Sequence, residues 1–115
     1  MKKIYLSPPH MSGKELDYIK KAFDDNWIAP IGPQLNMFEE KVKEYTGAKH
    51  AVAVSSGTAG IHLALKALNV SEGDYVICSS LTFIGTVNPI IYCGAEPIFV
   101  DSEETTWNLD PVLLE

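Results

Sequence analysis

Apolar positions in the first half of the chain recur at helical spacing. Leu16, Ile19 and Phe23 form one stripe, with Lys and Asp side chains on the opposite face. Ser12 and Glu15 make an S-x-x-E capping box ahead of it, and Met11 is placed to staple onto Leu16. Asp25-Asn26 ends this predicted helix, and Ser7-Pro8-Pro9 stiffens the arm that precedes it. The connector Trp27-Ile28-Ala29-Pro30-Ile31-Gly32 is apolar for a loop and is expected to be covered. Gly32-Pro33 opens a second helix with the stripe Leu35, Phe38, Val42 and Tyr45, stopped at Gly47.

From residue 50 the texture changes to short, continuous apolar runs. Ala51-Val52-Ala53-Val54 reads as a buried strand, followed by Ser55-Ser56-Gly57-Thr58-Ala59-Gly60 and a helix that is apolar almost all round, through Leu68. Ser71-Glu72-Gly73-Asp74 is a turn, and Tyr75-Val76-Ile77-Cys78 is a second strand. Residues 83–92 suit another helix, broken or bent near Pro89, before a turn at Gly94. Ile98-Phe99-Val100 is a third strand, ending at Asp101. This alternation predicts an α/β fold with a mostly parallel sheet and helices on both faces. Asp110-Pro111 then reads as the N-cap and first position of a helix with only four residues left to form it, so the chain is expected to be a piece of a longer one.

Composition narrows the function. The chain has 115 residues, 46% hydrophobic and 21% charged, which is the make-up of a folded protein with room for one domain. Its net charge is −6, and every basic residue is lysine. An acidic chain without arginine lacks the basic face that nucleic acid requires, and no nucleic-acid partner is expected. Residues 51–115 hold one lysine, Lys66, against eight acids, so an anion site there must use backbone amides and helix dipoles. Lys2 and Lys3 resemble a signal-peptide start, but Ser7-Pro8-Pro9 cuts the apolar run Ile4-Tyr5-Leu6 short, and no stretch is long enough to span a membrane. Cys78 and Cys93 sit among apolar residues and are read as free thiols of a cytoplasmic protein. His10, His50 and His62 are scattered, and no metal site is expected.

The segment from Ser55 to Gly60 carries the chemistry. It lies between a predicted strand and a helix, where ligands meet the carboxyl ends of strands. Small residues let backbone approach a phosphate, helix-start N–H groups point at it, and Thr58 adds a hydroxyl. The alternative is a plain tight turn with serine caps, and neither the dinucleotide glycine fingerprint nor the P-loop pattern is present. Thr82-Phe83 follows the next strand and so reaches the same sheet edge, where Phe83 either stacks on a flat ring or belongs to the core. Lys66, on the apolar helix, is read as a solvated charge, and Asp101, Glu103 and Glu104 as a solvated turn.

These pieces occur in a recognisable order. Ile31-Gly32-Pro33, Phe38-Glu39, Ala51 to Ala59, Leu63-Ala64-Leu65, Gly73-Asp74, Thr82-Phe83 and Gly94-Ala95-Glu96-Pro97 together resemble the DegT/DnrJ/StrS-type sugar aminotransferases. The opening Leu6 to Met11, with Trp27-Ile28-Ala29-Pro30, is most similar to the members of the UDP-N-acetylbacillosamine pathway. The resemblance implies the opening part of the large domain of an aspartate-aminotransferase-like, fold-type I enzyme that uses pyridoxal 5′-phosphate. Residues 1–32 would be an N-terminal arm, helix and substrate-side loop, and residues 33–115 the first, incomplete part of the cofactor-binding domain. The whole enzyme would be a cytoplasmic homodimer that transfers an amino group, typically from glutamate, to a nucleotide-linked 4-keto-6-deoxy sugar. By motif match, Thr58 and Ala59 would bind the cofactor phosphate, Gly57 would allow its approach, and Phe83 would lie against the pyridine ring. His10, Ile31 and Gly32 would lie near the sugar nucleotide. Such a cofactor also needs a carboxylate at its ring nitrogen and a Schiff-base lysine. Both are expected beyond residue 115, which leaves a sugar dehydratase of the same family and a non-catalytic binding module as alternatives. The resemblance further implies that the strand before Gly57 pairs with later sequence, so residues 1–115 alone would leave sheet edges uncovered.

Overall fold

The computed structural model describes residues 3–5 and 7–115, so the readings made on Lys2 and Leu6 lie outside the described residues. The chain forms two compact units, Met1–Ala53 and Val54–Glu115.

The first unit is two amphipathic helices and their connectors. Helix α1 spans Glu15–Asp24 and α2 spans Pro33–Thr46. Half of the expected capping box forms. The Glu15 carboxylate accepts the Ser12 N–H at 2.6 Å, while the Ser12 hydroxyl accepts from Lys14 rather than Glu15. Met11 and Leu16 both remain exposed. Hydrogen bonding from the Ser12 backbone, first, holds the Glu15 carboxyl down at about 2. Asn26 takes positive φ at the end of α1, and Gly47, at φ 72°, ends α2 in the left-handed conformation its missing Cβ permits. Gln34 joins the helices by donating to the Tyr18 carbonyl at 2.6 Å. The apolar loop is not covered among the described residues: Trp27, Ile28 and Ile31 are exposed.

The second unit is a βαβ element with an added helix. Helix α3 is Gly57–Ala67, β1 is Tyr75–Ser79, α4 is Ile84–Tyr92, β2 is Glu96–Val100 and the short α5 is Pro111–Leu114. The strands pair in parallel, from Tyr75 opposite Glu96 to Ser79 opposite Val100. Gly73 and Gly94 turn the chain into each strand at φ 93° and 82°.

Cys78, Val87, Ile90 and Ala95 make the core of this unit, with Leu65, Val70 and Val76 packed against it. Helix α4 packs on both strands and α3 packs on α4. His62 of α3 meets the Tyr92 ring edge-on, with ring centres 5.6 Å apart. Cys78 and Cys93 are buried free thiols, and burial pushes the Cys78 thiol up.

The strand expected at Ala51–Val54 has no ladder among the described residues, so the sheet they form has two strands, β1 and β2, and Tyr75, Ile77 and Phe99 stay exposed there. Of the break or bend expected at Pro89, the break does not occur: α4 runs unbroken through it. Its ring is wholly buried, and that packing offsets the backbone bond that proline cannot make.

The acidic turn after β2 is structural. Glu103 accepts the N–H groups of Thr105 and Thr106 and the Thr106 hydroxyl, and Asp101 accepts from the Ser102 N–H and the Ser80 hydroxyl. Trp107 sits within this turn at φ 64°. No helix of the described residues is long and apolar enough to cross a membrane.

Two outcomes follow from this packing. Ile90→Ala, which empties a fully buried site, should destabilise the second unit by about 3 kcal/mol, read from denaturant midpoints of the full-length protein. Hydrogen bonds led by the Thr106 hydroxyl lower the Glu103 carboxyl from 4.5 to about 2. A folded-state value below the unfolded one stabilises the turn above pH 4.5 and is lost as pH falls through about 2, so the Thr105 and Thr106 amide resonances should shift in that window.

Candidate functional site

The candidate site begins with a helix cap. Ser56 is extended, at φ −163° and ψ 163°, and its hydroxyl accepts the Ala59 N–H at 3.1 Å. The Ser56 carbonyl accepts from Gly60. Helix α3 therefore starts at Gly57, and the N–H groups of Gly57 and Thr58 have no acceptor among the described residues. Unpaired donors at a helix N-terminus attract anions, with the helix dipole adding to them.

Helix α4 begins alongside. Phe83 is its N-cap residue and Thr86 donates back to the Phe83 carbonyl at 2.9 Å. The Phe83 side chain is 79% exposed, so it is not a core residue of its unit and its ring is free to stack. Thr82 and Thr86 pair their hydroxyls at 2.9 Å.

Gly85 lies where the two helix starts approach each other. A Cβ added there would lie 2.7 Å from the Thr58 hydroxyl oxygen and 3.0 Å from the Phe83 ring. Thr58, Phe83 and Gly85 line one open cleft of 320 Å³, together with Ser56, Gly57, Ile61 and Thr86. No charged side chain lines it. Its chemistry is backbone N–H, hydroxyl and aromatic face, which suits an anionic group attached to a flat ring. The Thr58 hydroxyl and the Phe83 ring thus both stand close to the Gly85 position.

Of the residues expected at the cofactor, Gly57, Thr58 and Phe83 are brought together. The Ala59 N–H is spent on Ser56, and its side chain lines a separate depression with Val54, His62, Leu63 and Lys66. His10, Ile31 and Gly32 belong to the first unit. His10 and Ile31 are exposed, and Gly32 lines a cleft of 340 Å³ with Trp27, whose ring lies 3.4 Å from where a Gly32 Cβ would stand. Lys66 is exposed, Glu103 spends both carboxylate oxygens on the turn after β2, and Asp101 accepts through one oxygen from Ser80 and Ser102. Sequence reading missed Gly85 and Thr86. The tightest contact a Cβ at 85 would meet is with Thr58, far away in sequence.

Comparison with known proteins places this geometry in context. The model of the DegT/DnrJ/EryC1/StrS aminotransferase family matches residues 9–115. EpsN of Bacillus subtilis, named as a pyridoxal phosphate-dependent aminotransferase, is 61% identical over 99% of this chain, which spans 29% of EpsN. The GDP-perosamine synthase of Caulobacter vibrioides is 42% identical over 98% of the chain and is spanned to 30% of its length. Among solved structures, Spr1654 of Streptococcus pneumoniae, named as a sugar aminotransferase, superposes in its PMP-form with a TM-score of 0.87 at 31% identity. That match covers 98% of this chain and 28% of Spr1654, whose PLP-form is also known. The fold is thus that of the fold-type I sugar aminotransferases, whose cofactor is pyridoxal phosphate.

Gly85→Ala tests this close approach. The added methyl should turn the Thr58 side chain away from the Phe83 ring at a cost of about 1 kcal/mol, because a rotating hydroxyl yields more easily than backbone. A crystal structure of the variant with the Thr58 rotamer unchanged would contradict this.

Proposed function

Since the chain belongs to the DegT/DnrJ/EryC1/StrS aminotransferase family, we propose that it is the opening portion of a pyridoxal phosphate-dependent enzyme that aminates a nucleotide-linked 4-keto-6-deoxy sugar. The amino donor is glutamate, and the product serves amino-sugar and cell-surface glycan synthesis. The observation that carries this reading is the cleft in which the free N–H groups of α3 and the exposed Phe83 ring meet.

In this reading the Gly57 and Thr58 N–H groups and the Thr58 hydroxyl hold the cofactor phosphate, and Ser56 keeps α3 from starting earlier and burying those donors. Ala59 contributes by giving its N–H to Ser56. Phe83 lies against one face of the pyridine ring and keeps water from it. The bound cofactor supplies an electron sink that lets an amino group pass between carbon skeletons. His10, Ile31 and Gly32 take the sugar-nucleotide side. Residues 1–32 form the arm and substrate loop, and residues 33–115 the first part of the large domain. The lysine that carries the cofactor and the carboxylate at its ring nitrogen come from outside residues 1–115, in a cytoplasmic homodimer.

The test uses the full-length protein. Borohydride reduction in the presence of pyridoxal phosphate should fix the cofactor to one lysine outside residues 1–115, and ¹⁵N-glutamate should label the amino sugar formed from a UDP- or GDP-linked 4-keto-6-deoxy sugar. Labelling of Lys66 would sink the site assignment. A histidine in place of the trapped lysine, with loss of a sugar hydroxyl, would establish the dehydratase reading, and no cofactor uptake would leave a binding module.

A further inference from the structure

The two helix starts at the cleft are capped differently. Ser56 caps α3 with its hydroxyl, which accepts the Ala59 N–H. Phe83 stands at the same place before α4 and cannot do this, because an aromatic ring carries no acceptor for the amides of a first turn. Phenylalanine at an N-cap leaves the helix start without its usual side-chain anchor.

Thr86, three residues on, supplies an anchor of another kind. Its N–H donates to the Phe83 carbonyl at 2.9 Å, and its hydroxyl meets the Thr82 hydroxyl at 2.9 Å. In a capping box the side chain at this place reaches back to the N-cap amide. Here it reaches one residue further, to another side chain. A helical threonine divides its hydroxyl between two rotamers, and the bond to Thr82 selects one. Thr86 thus ties the chain on both sides of Phe83, whose backbone is held at φ −70° and ψ 140° between the two bonds. Those angles aim the Phe83 Cα–Cβ bond and so limit where the ring can go. The ring carbons Cδ1 and Cε1 stand 3.0 and 3.2 Å from the place of a Gly85 Cβ, so one edge of the ring runs along the helix start that the two threonines hold. All of these contacts fall within residues 82–86.

We propose that Thr82 and Thr86 form a clasp that positions the Phe83 ring, with Thr86 the positioning residue and Thr82 its partner. The role needs a hydroxyl at both places, and the methyl groups are incidental. It rests on the proposed function in taking the cofactor's pyridine ring as what Phe83 receives.

Variants of the full-length protein test the clasp. Thr82→Val and Thr86→Val keep the side-chain shape and remove one hydroxyl each, leaving a methyl that neither donates nor accepts. Affinity for pyridoxal phosphate should fall about fivefold in each. Thr86→Ser restores the hydroxyl and should recover the affinity. Phe83→Ala removes the ring, and adding Thr86→Val to it should cost nothing more, since Thr86 acts through Phe83. Crystal structures of the cofactor-free variants should show the ring displaced in both valine variants and kept in place in Thr86→Ser. The proposal is overturned if Thr86→Val weakens binding as much without the Phe83 ring as with it, if Thr86→Ser fails to recover affinity, or if the ring is unmoved in Thr86→Val. If the wild type takes up no pyridoxal phosphate, or Phe83→Ala binds it as the wild type does, the ring assignment of the proposed function fails instead. The crystal structures then decide alone: a ring displaced in both valine variants and kept in Thr86→Ser upholds the clasp, and a ring that stays put ends it.

Discussion

The hydrogen bond from the Ala59 N–H to the Ser56 hydroxyl is the constraint on which the site depends. A helix start leaves N–H groups that the helix cannot satisfy, and Ser56 absorbs one with its side chain while its carbonyl takes the Gly60 N–H. What remains, at Gly57 and Thr58, is a pair of donors with no charge to neutralise. An arginine-free chain with a strongly acidic second half can still present an anion site, because these donors are fixed dipoles.

The βαβ element supplies the rest of the geometry. Cys78, Val87, Ile90 and Ala95 hold α4 against β1 and β2, and the wholly buried Pro89 ring belongs to that packing. Fixing α4 fixes Phe83 at its start, and Gly85 permits α4 to approach Thr58 to a distance no other residue allows without a shift. The acidic turn beyond β2 contributes order, with Glu103 and one oxygen of Asp101 held by hydrogen bonds within and beside it.

Much of this was legible from local pattern. The stripes of α1 and α2, proline at the start of α2, Gly47 after its end, and the Asp110-Pro111 start all act within a few residues of themselves. Elements that depend on distant partners were read less well. The apolar run Ala51–Val54 has strand composition, yet a strand requires a ladder, and no segment among the described residues pairs with it. Pro89 carries a local signal for a break that burial overrides. Phe83, taken by itself, suits a core, and only its 79% exposure frees it for a ring.

The sequence by itself determined where helices start and stop, which residues cap them, and that any anion site must be built from amides and hydroxyls. Those properties follow from short-range sterics and from the types of donor present. Tertiary structure alone decided that Gly85 stands against Thr58 and that Glu39 reaches Ala53. Each is a contact between residues 14 to 27 positions apart in the chain, and spacing along a sequence carries no distance at that range.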